Sequence, residues 1–142
     1  MIPPETPKPT KTLPAVFYRT AAGTEAPREE LKHKDFDDND RILIGRDVAR
    51  VEFGWPGVVG SDTCEKLDGD IYAVRTNLPK NRIARVLFSP HEKSMFILRA
   101  FIKKATDGIK TPKHEIDLAK ARLTDSKARL AAKARAEKAK KR

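Results

Sequence analysis

Between Asp68 and Lys104 the sequence reads DGDIYAVRTNLPKNRIARVLFSPHEKSMFILRAFIKK, and no other stretch limits the folds open to the chain so tightly. It holds the densest apolar residues and sets basic residues among them at intervals. Gly69 precedes a strand at about 71–76, and residues 77–81 (Asn-Leu-Pro-Lys-Asn) form a turn. A second strand runs over 82–89, residues 90–93 turn the chain again, and a third strand covers 94–102. The second and third strands are apolar on both faces, with Ile83, Val86 and Leu87 in one and Met95, Phe96, Ile97 and Leu98 in the other. That pattern suits central strands covered on most of both faces. Tight turns make the three strands an antiparallel meander.

The remainder frames this meander. Ala15-Val16-Phe17-Tyr18, bounded by Pro14 and Gly23, reads as a first strand that joins the sheet through a longer connection. Thr24 is a candidate cap for a helix from Glu25 to about Lys34, with Pro27 in its tolerated first turn. Asp37, Asp38, Asn39 and Asp40 offer N-caps for a second helix at about 41–53. There Ile44, Val48 and Val51 share a face, and Gly45 costs up to about 1 kcal/mol relative to alanine. Gly54, Pro56, Gly57 and Gly60 end that helix in a loop. Thr111-Pro112 opens a last helix, with Ile116, Ala119 and Leu123 on one side. The layout is α+β: a small antiparallel sheet of three-strand meander plus N-terminal strand, with helices mainly on one face.

Both ends are compositionally biased. Residues 1–14 carry Pro3, Pro4, Pro7, Pro9 and Pro14 and are expected to form a disordered, extended arm. The domain proper is expected over 15–125, followed by a basic helical or disordered tail at 126–142. Residues 113–142 hold eleven Lys/Arg against four acids, which is +7 of the chain's +10. Such a charge favours a polyanionic partner, nucleic acid before an anionic membrane. A single cysteine, Cys64, excludes an internal disulfide and a cysteine zinc site and suits a reducing cytoplasm. No apolar run approaches the roughly 20 residues that cross a bilayer, and the N-terminus lacks the apolar core of a secretory signal.

Most chemistries fall away on residue type. His33, His91 and His114 are dispersed without metal-ligand spacing, so no metal or other cofactor is expected. The Gly54–Gly60 segment follows a helix and lacks the ending of a phosphate-binding loop. Cys64 has no neighbouring base in sequence. What remains is cationic. Alternation puts Arg75 on a face with Ile71 and Ala73, and Tyr72 on the other with Val74. Arg85 and Arg99 lie inside apolar strands, where a guanidinium needs a partner or a wet groove. Ion pairs to Asp68, Asp70 or the acids near Asp37 are one reading. The other is a phosphate-binding groove, since Arg82, Lys103 and Lys104 stand at neighbouring strand ends.

Taken together, LDGDIYAVRTNLPKNRIARVLF, FILRAFIKK and KTPKHEIDLAKAR, with EFGWP after the second helix, resemble the RelE/ParE superfamily of toxin–antitoxin toxins. The likeness covers about 16–123 and is strongest to the phage-derived, HigB-like branch. It implies a RelE-like fold and metal-independent cleavage of mRNA at the ribosome, in which a ribose 2′-hydroxyl attacks the adjacent phosphate. It also implies a cognate antitoxin with a helix-turn-helix domain. Arg75 and Arg85 then match the superfamily's strand arginines, and Lys103 and Lys104 its basic pair after the last strand. Arg75, Arg85, Lys104 and Tyr72 become candidate catalytic residues, and Arg82, Arg99 and Lys103 candidate contacts to RNA phosphate. The chain departs from the superfamily in having Ile71, Tyr72 and Ala73 where one nuclease branch alternates lysines, and Arg99 where a histidine is expected. The general base stays open between Tyr72 and His114. Two further functions remain: inhibition of DNA gyrase, as in the ParE branch, and plain nucleic-acid binding by a phage protein.

Overall fold

The computed structural model describes residues 10–104 and 110–140, without the side chain of Lys104. Eight elements follow in the order β1 (Ala15–Phe17), α1 (Ala26–Leu31), α2 (Asp38–Gly54), β2 (Cys64–Asp68), β3 (Ile71–Leu78), β4 (Arg82–His91), β5 (Ser94–Lys104) and α3 (Lys113–Lys140). The strands form one sheet in the order β1-β5-β4-β3-β2. The fold is α+β, compatible with a RelE-like architecture. The meander is present in the expected order, with Arg75 opposite Arg85 and Arg85 opposite Phe101.

Three features of the sheet differ from expectation. It is mixed, because β1 runs parallel to β5, pairing Ala15 to Phe17 with Met95 to Ile97. It has a fifth strand, β2, antiparallel to β3 with an irregularity between Lys66 and Asp68. Helices cover both faces rather than mainly one. On the first face, Ile44 and Val51 of α2 join Val74, Val86, Phe88 and Ala100. On the second, Ala119 and Leu123 of α3 join Ala73, Leu87 and Leu98. Strands apolar on both sides demand this, since each large aliphatic side chain moved out of water contributes about 1.5–3 kcal/mol.

Local chemistry accounts for the helix ends. Asp37 caps α2 in a reciprocal capping box with Asp40, leaving the Ile44–Val51 face directed at the sheet. The first helix is shorter than expected, six residues with Glu25 as its cap. Thr24 is held instead in a turn with Thr20, closed by Gly23 at φ 90°. α3 begins beside Pro112 as expected and continues as one helix to Lys140.

Residues just before β1 also pack on the sheet and α2. Leu13 is 3% exposed and donates its N–H to the Glu52 carbonyl, while Pro14 accepts from the N–H of Met95. Lys11 pairs with the Glu52 carboxylate at 3.0 Å, and Ala15 N–H donates to it at 2.9 Å. The proline-rich segment 1–9 lies outside the described residues. So do residues 105–109, between β5 and α3.

Candidate functional site

Strand alternation and register define the site. On the second face, α3 covers the rows that contain Ala73, Leu87 and Leu98. The next positions along the same strands are Arg75 on β3, Arg85 on β4, and Phe101 and Lys103 on β5. Arg75 and Arg85 are direct cross-strand partners, so two guanidinium groups share one small patch. Opposite charges would be the stabilising choice there.

The two arginines sit at different depths. Arg85 is 1% exposed. Its pKa is pushed down, first by burial and then by the Arg75 cation, with Glu65 opposing both. Arg75 is 30% exposed and reaches the carboxylate of Glu65 on β2 at 3.6 Å. Its Nε is buried and makes no hydrogen bond among the described residues. The patch therefore offers a reachable guanidinium with a spare donor, a second cation behind it and a half-exposed carboxylate beside it.

Glu65 was not among the residues expected from sequence. CEKLD carries little apolar signal, and only the pairing of β2 with β3 brings Glu65 beside Arg75. Cys64 and Leu67 are three positions apart and fall in the cores on opposite faces, so the segment has no period-2 apolar signal of a strand.

A cleft of about 340 Å³ opens next to this patch, lined by Phe101 and Lys103 from β5 and by His114 and Glu115 from the first turn of α3. His114 is 78% exposed, with Nε2 at 3.3 Å from the Glu115 carboxylate. The Lys103 ammonium donates to the backbone carbonyl of Lys110. The backbone of Lys104 pairs with Arg82 at the end of the sheet.

Arg99 faces the same side but is structurally committed. Its Nε donates to Glu115 at 2.8 Å, and its other arm pairs with Glu30 at 2.8 Å. Burial alone would lower its pKa; the two carboxylates outweigh that and raise it.

Two expected site residues lie elsewhere. Arg82 belongs to the α2 side of the sheet, where it grips the buried carboxylate of Asp40 through two nitrogens, at 2.8 and 3.1 Å. This hydrogen-bonded pair holds the Asp40 carboxyl below the usual carboxylate range. Arg82 thus ties the start of β4 to the α2 cap and is not on the Arg75 surface. Tyr72 also faces α2. Its ring meets Trp55 edge-on at 5.0 Å and stacks on Phe88 at 5.6 Å, as core aromatics do.

Burial drives the Cys64 thiol pKa up to about 11, so Cys64 is an inert core residue at neutral pH. Among the described residues no cluster of His, Cys, Asp or Glu has the arrangement of a metal site. No helix there is long and apolar enough to cross a membrane.

A family model described as Phage derived protein Gp49-like (DUF891) matches residues 31–124, well over half of the chain. The chain belongs to the Gp49-like family. This phage-derived family is a RelE-like toxin family of toxin–antitoxin systems, in line with the resemblance carried by the meander. The Gp49-like match spans α2, β2 to β5 and the buried part of α3, and so includes Glu65, Arg75, Arg85, Lys103 and His114. No curated protein matches the chain.

Proposed function

We infer that the protein is the toxin of a type II toxin–antitoxin system of the HigB-like kind. In this reading it cleaves mRNA at the ribosome without a metal and is neutralised by an antitoxin with a helix-turn-helix domain. The observation that carries the reading is the Arg75–Arg85 cross-strand pair with Glu65 beside it. Membership of the Gp49-like family supports the toxin assignment.

The reaction needs no external nucleophile, because the ribose supplies its own 2′-hydroxyl. In this reading Arg75 holds the scissile phosphate, exchanging its loose contact with Glu65 for charge-assisted hydrogen bonds to phosphate oxygens. Arg85 adds positive potential from behind, where low dielectric makes it count for more. Glu65, released from Arg75, takes the proton of the 2′-hydroxyl. The 2′-oxygen bonds to phosphorus, the bond to the 5′-oxygen breaks, and that oxygen takes a proton from solvent. The products are a 2′,3′-cyclic phosphate and a 5′-hydroxyl end. Lys103, Lys104 and His114 flank the RNA. Tyr72 and Arg82 have no part in the step, since both serve the α2 side.

Expression of the wild type, Arg75→Ala and Glu65→Gln, with mRNA ends mapped in each culture, tests this. The wild type should arrest growth and leave discrete cuts within translated messages. Arg75→Ala should lower cleavage by about 10²–10³-fold, and Glu65→Gln by about 10²–10⁴-fold. Growth arrest with intact mRNA would overturn the reading. If purified protein then blocked gyrase supercoiling, the chain would act like the ParE branch instead.

A further inference from the structure

α3 outruns the domain it packs on. Its last buried residue is Leu123, and residues 130–140 are exposed, with one side of Leu130 to Glu137 lining an open cleft beside His91 and Glu92 of the β4–β5 turn. The distal part carries Lys127, Arg129, Lys133, Arg135, Lys138 and Lys140, with Glu137 as its one acid between 126 and 140. Arg129 is tied to Asp125 at 2.9 Å, whereas the other five cations make no ion pair among the described residues. Helical spacing sorts the cations into two rails: Lys127, Arg135 and Lys138 on one side, Arg129, Lys133 and Lys140 on the other.

Nothing inside the protein explains this arrangement. A short helix that is polar all round gains no burial energy and is marginal in water on its own. Like charges a turn apart cost it further stability. Its large apolar inventory is one residue, half-exposed Leu130. A membrane surface needs an apolar helical face to bury, and a protein groove needs anchors at i, i+3, i+4 and i+7. Counted from Leu130, those positions hold Lys133, Ala134 and Glu137. Cations on two sides of a thin, smooth helix suit one class of ligand, the phosphodiester backbone of nucleic acid, approached along a groove.

We propose that residues 127–140 of α3 form a second nucleic-acid contact, a backbone-binding arm separate from the Arg75–Arg85 patch. At 1.5 Å per residue, Lys133 lies about 28 Å along the helix from His114 at the cleft. A ligand touching both must be a large folded RNA or ribonucleoprotein surface, not a few nucleotides. That second consequence rests on the nuclease reading; the arm itself does not.

The test uses the full chain with Lys133, Arg135, Lys138 and Lys140 all changed to Gln, which keeps helix propensity and removes charge. Binding to a duplex RNA, and to the DNA duplex of the same sequence, is measured across a salt series. The variant should melt like the wild type, bind at least about 10-fold more weakly at low salt, and show a log–log salt slope shallower by about 2–4. Loss on both duplexes would show a contact to backbone in general. Loss on RNA alone would show an RNA arm, and either supports the proposal. Unchanged affinity and slope would overturn it. So would a variant that loses only its antitoxin, which would make the arm a protein contact. The nuclease reading fails separately: a wild type that binds duplex but never cuts RNA sinks that reading and leaves the arm standing.

Discussion

Arg85 occupies a position where folded proteins seldom keep a cation. It lies between Ala84 and Val86 in a central strand and is almost wholly enclosed. Its lowered pKa has a definite sign. A cation whose folded pKa falls below its unfolded value is destabilised in its charged form, and at neutral pH that form prevails. Burial and the Arg75 cation thus oppose the charge, and Glu65 offsets them in part. Arg85→Met keeps the length of the side chain and removes its charge, and is expected to abolish RNA cleavage in a protein that still folds. Thermal melts beside cleavage assays check this, and a large loss of stability would show that Arg85 serves the fold. Both strand arginines are legible in sequence, because alternation sorts them by face. Glu65 is not, because its place depends on which strand edge β2 joins. The partner of Arg82 is hidden too, since Asp40 lies 42 positions away and belongs to a helix cap.

At the scale of elements, the hairpins show where local sequence argues against local geometry. β4 and β5 are joined by only Glu92 and Lys93, with His91 opposite Ser94. Both linking residues have positive φ, 50° and 66°. Two-residue hairpins of this twist favour Asn-Gly, and left-handed backbone costs an ordinary residue about 1–2 kcal/mol. Replacing Glu92-Lys93 with Asn-Gly should stabilise the protein by about 1 kcal/mol, read as a higher denaturation midpoint with an unchanged slope. A lower midpoint would mean that the charged pair stabilises the turn through contacts beyond backbone geometry. The turn itself is visible in sequence, as is the apolar face of α2, with Ile44 and Val51 buried and Val48 packed against them. The parallel pairing of β1 is not, because three residues carry no sign of strand direction.

For the molecule as a whole, the edge of the sheet poses the main problem, and one carboxylate resolves it. β1 covers β5 only from Met95 to Ile97, so the backbone beyond would face outward unpaired. Glu30 of α1 accepts the N–H of Ala100 at 3.0 Å, and Arg122 of α3 donates to the carbonyl of Leu98 at 2.7 Å. Glu30 also pairs with Arg99 at 2.8 Å and with Arg122 at 2.9 Å. A six-residue helix too short to be stable alone is thus tied to β5 and α3 through Glu30, beside the packing of Pro27 and Leu31. Glu30→Ala would remove the acceptor for a strand amide and strip two half-buried arginines of a shared counter-charge. The expected cost is about 2–4 kcal/mol. Arg122→Ala should cost less, because Glu30 would still hold Arg99 and Ala100. In the Glu30 variant the Ala100 amide should exchange with solvent much faster than those of β4, whose ladder is closed on both sides. Because Arg99 also joins Glu115 at the cleft, the same substitution should loosen the first turn of α3 where His114 stands. Equal exchange at Ala100 in variant and wild type would show that the edge is held by packing of α1 rather than by its carboxylate.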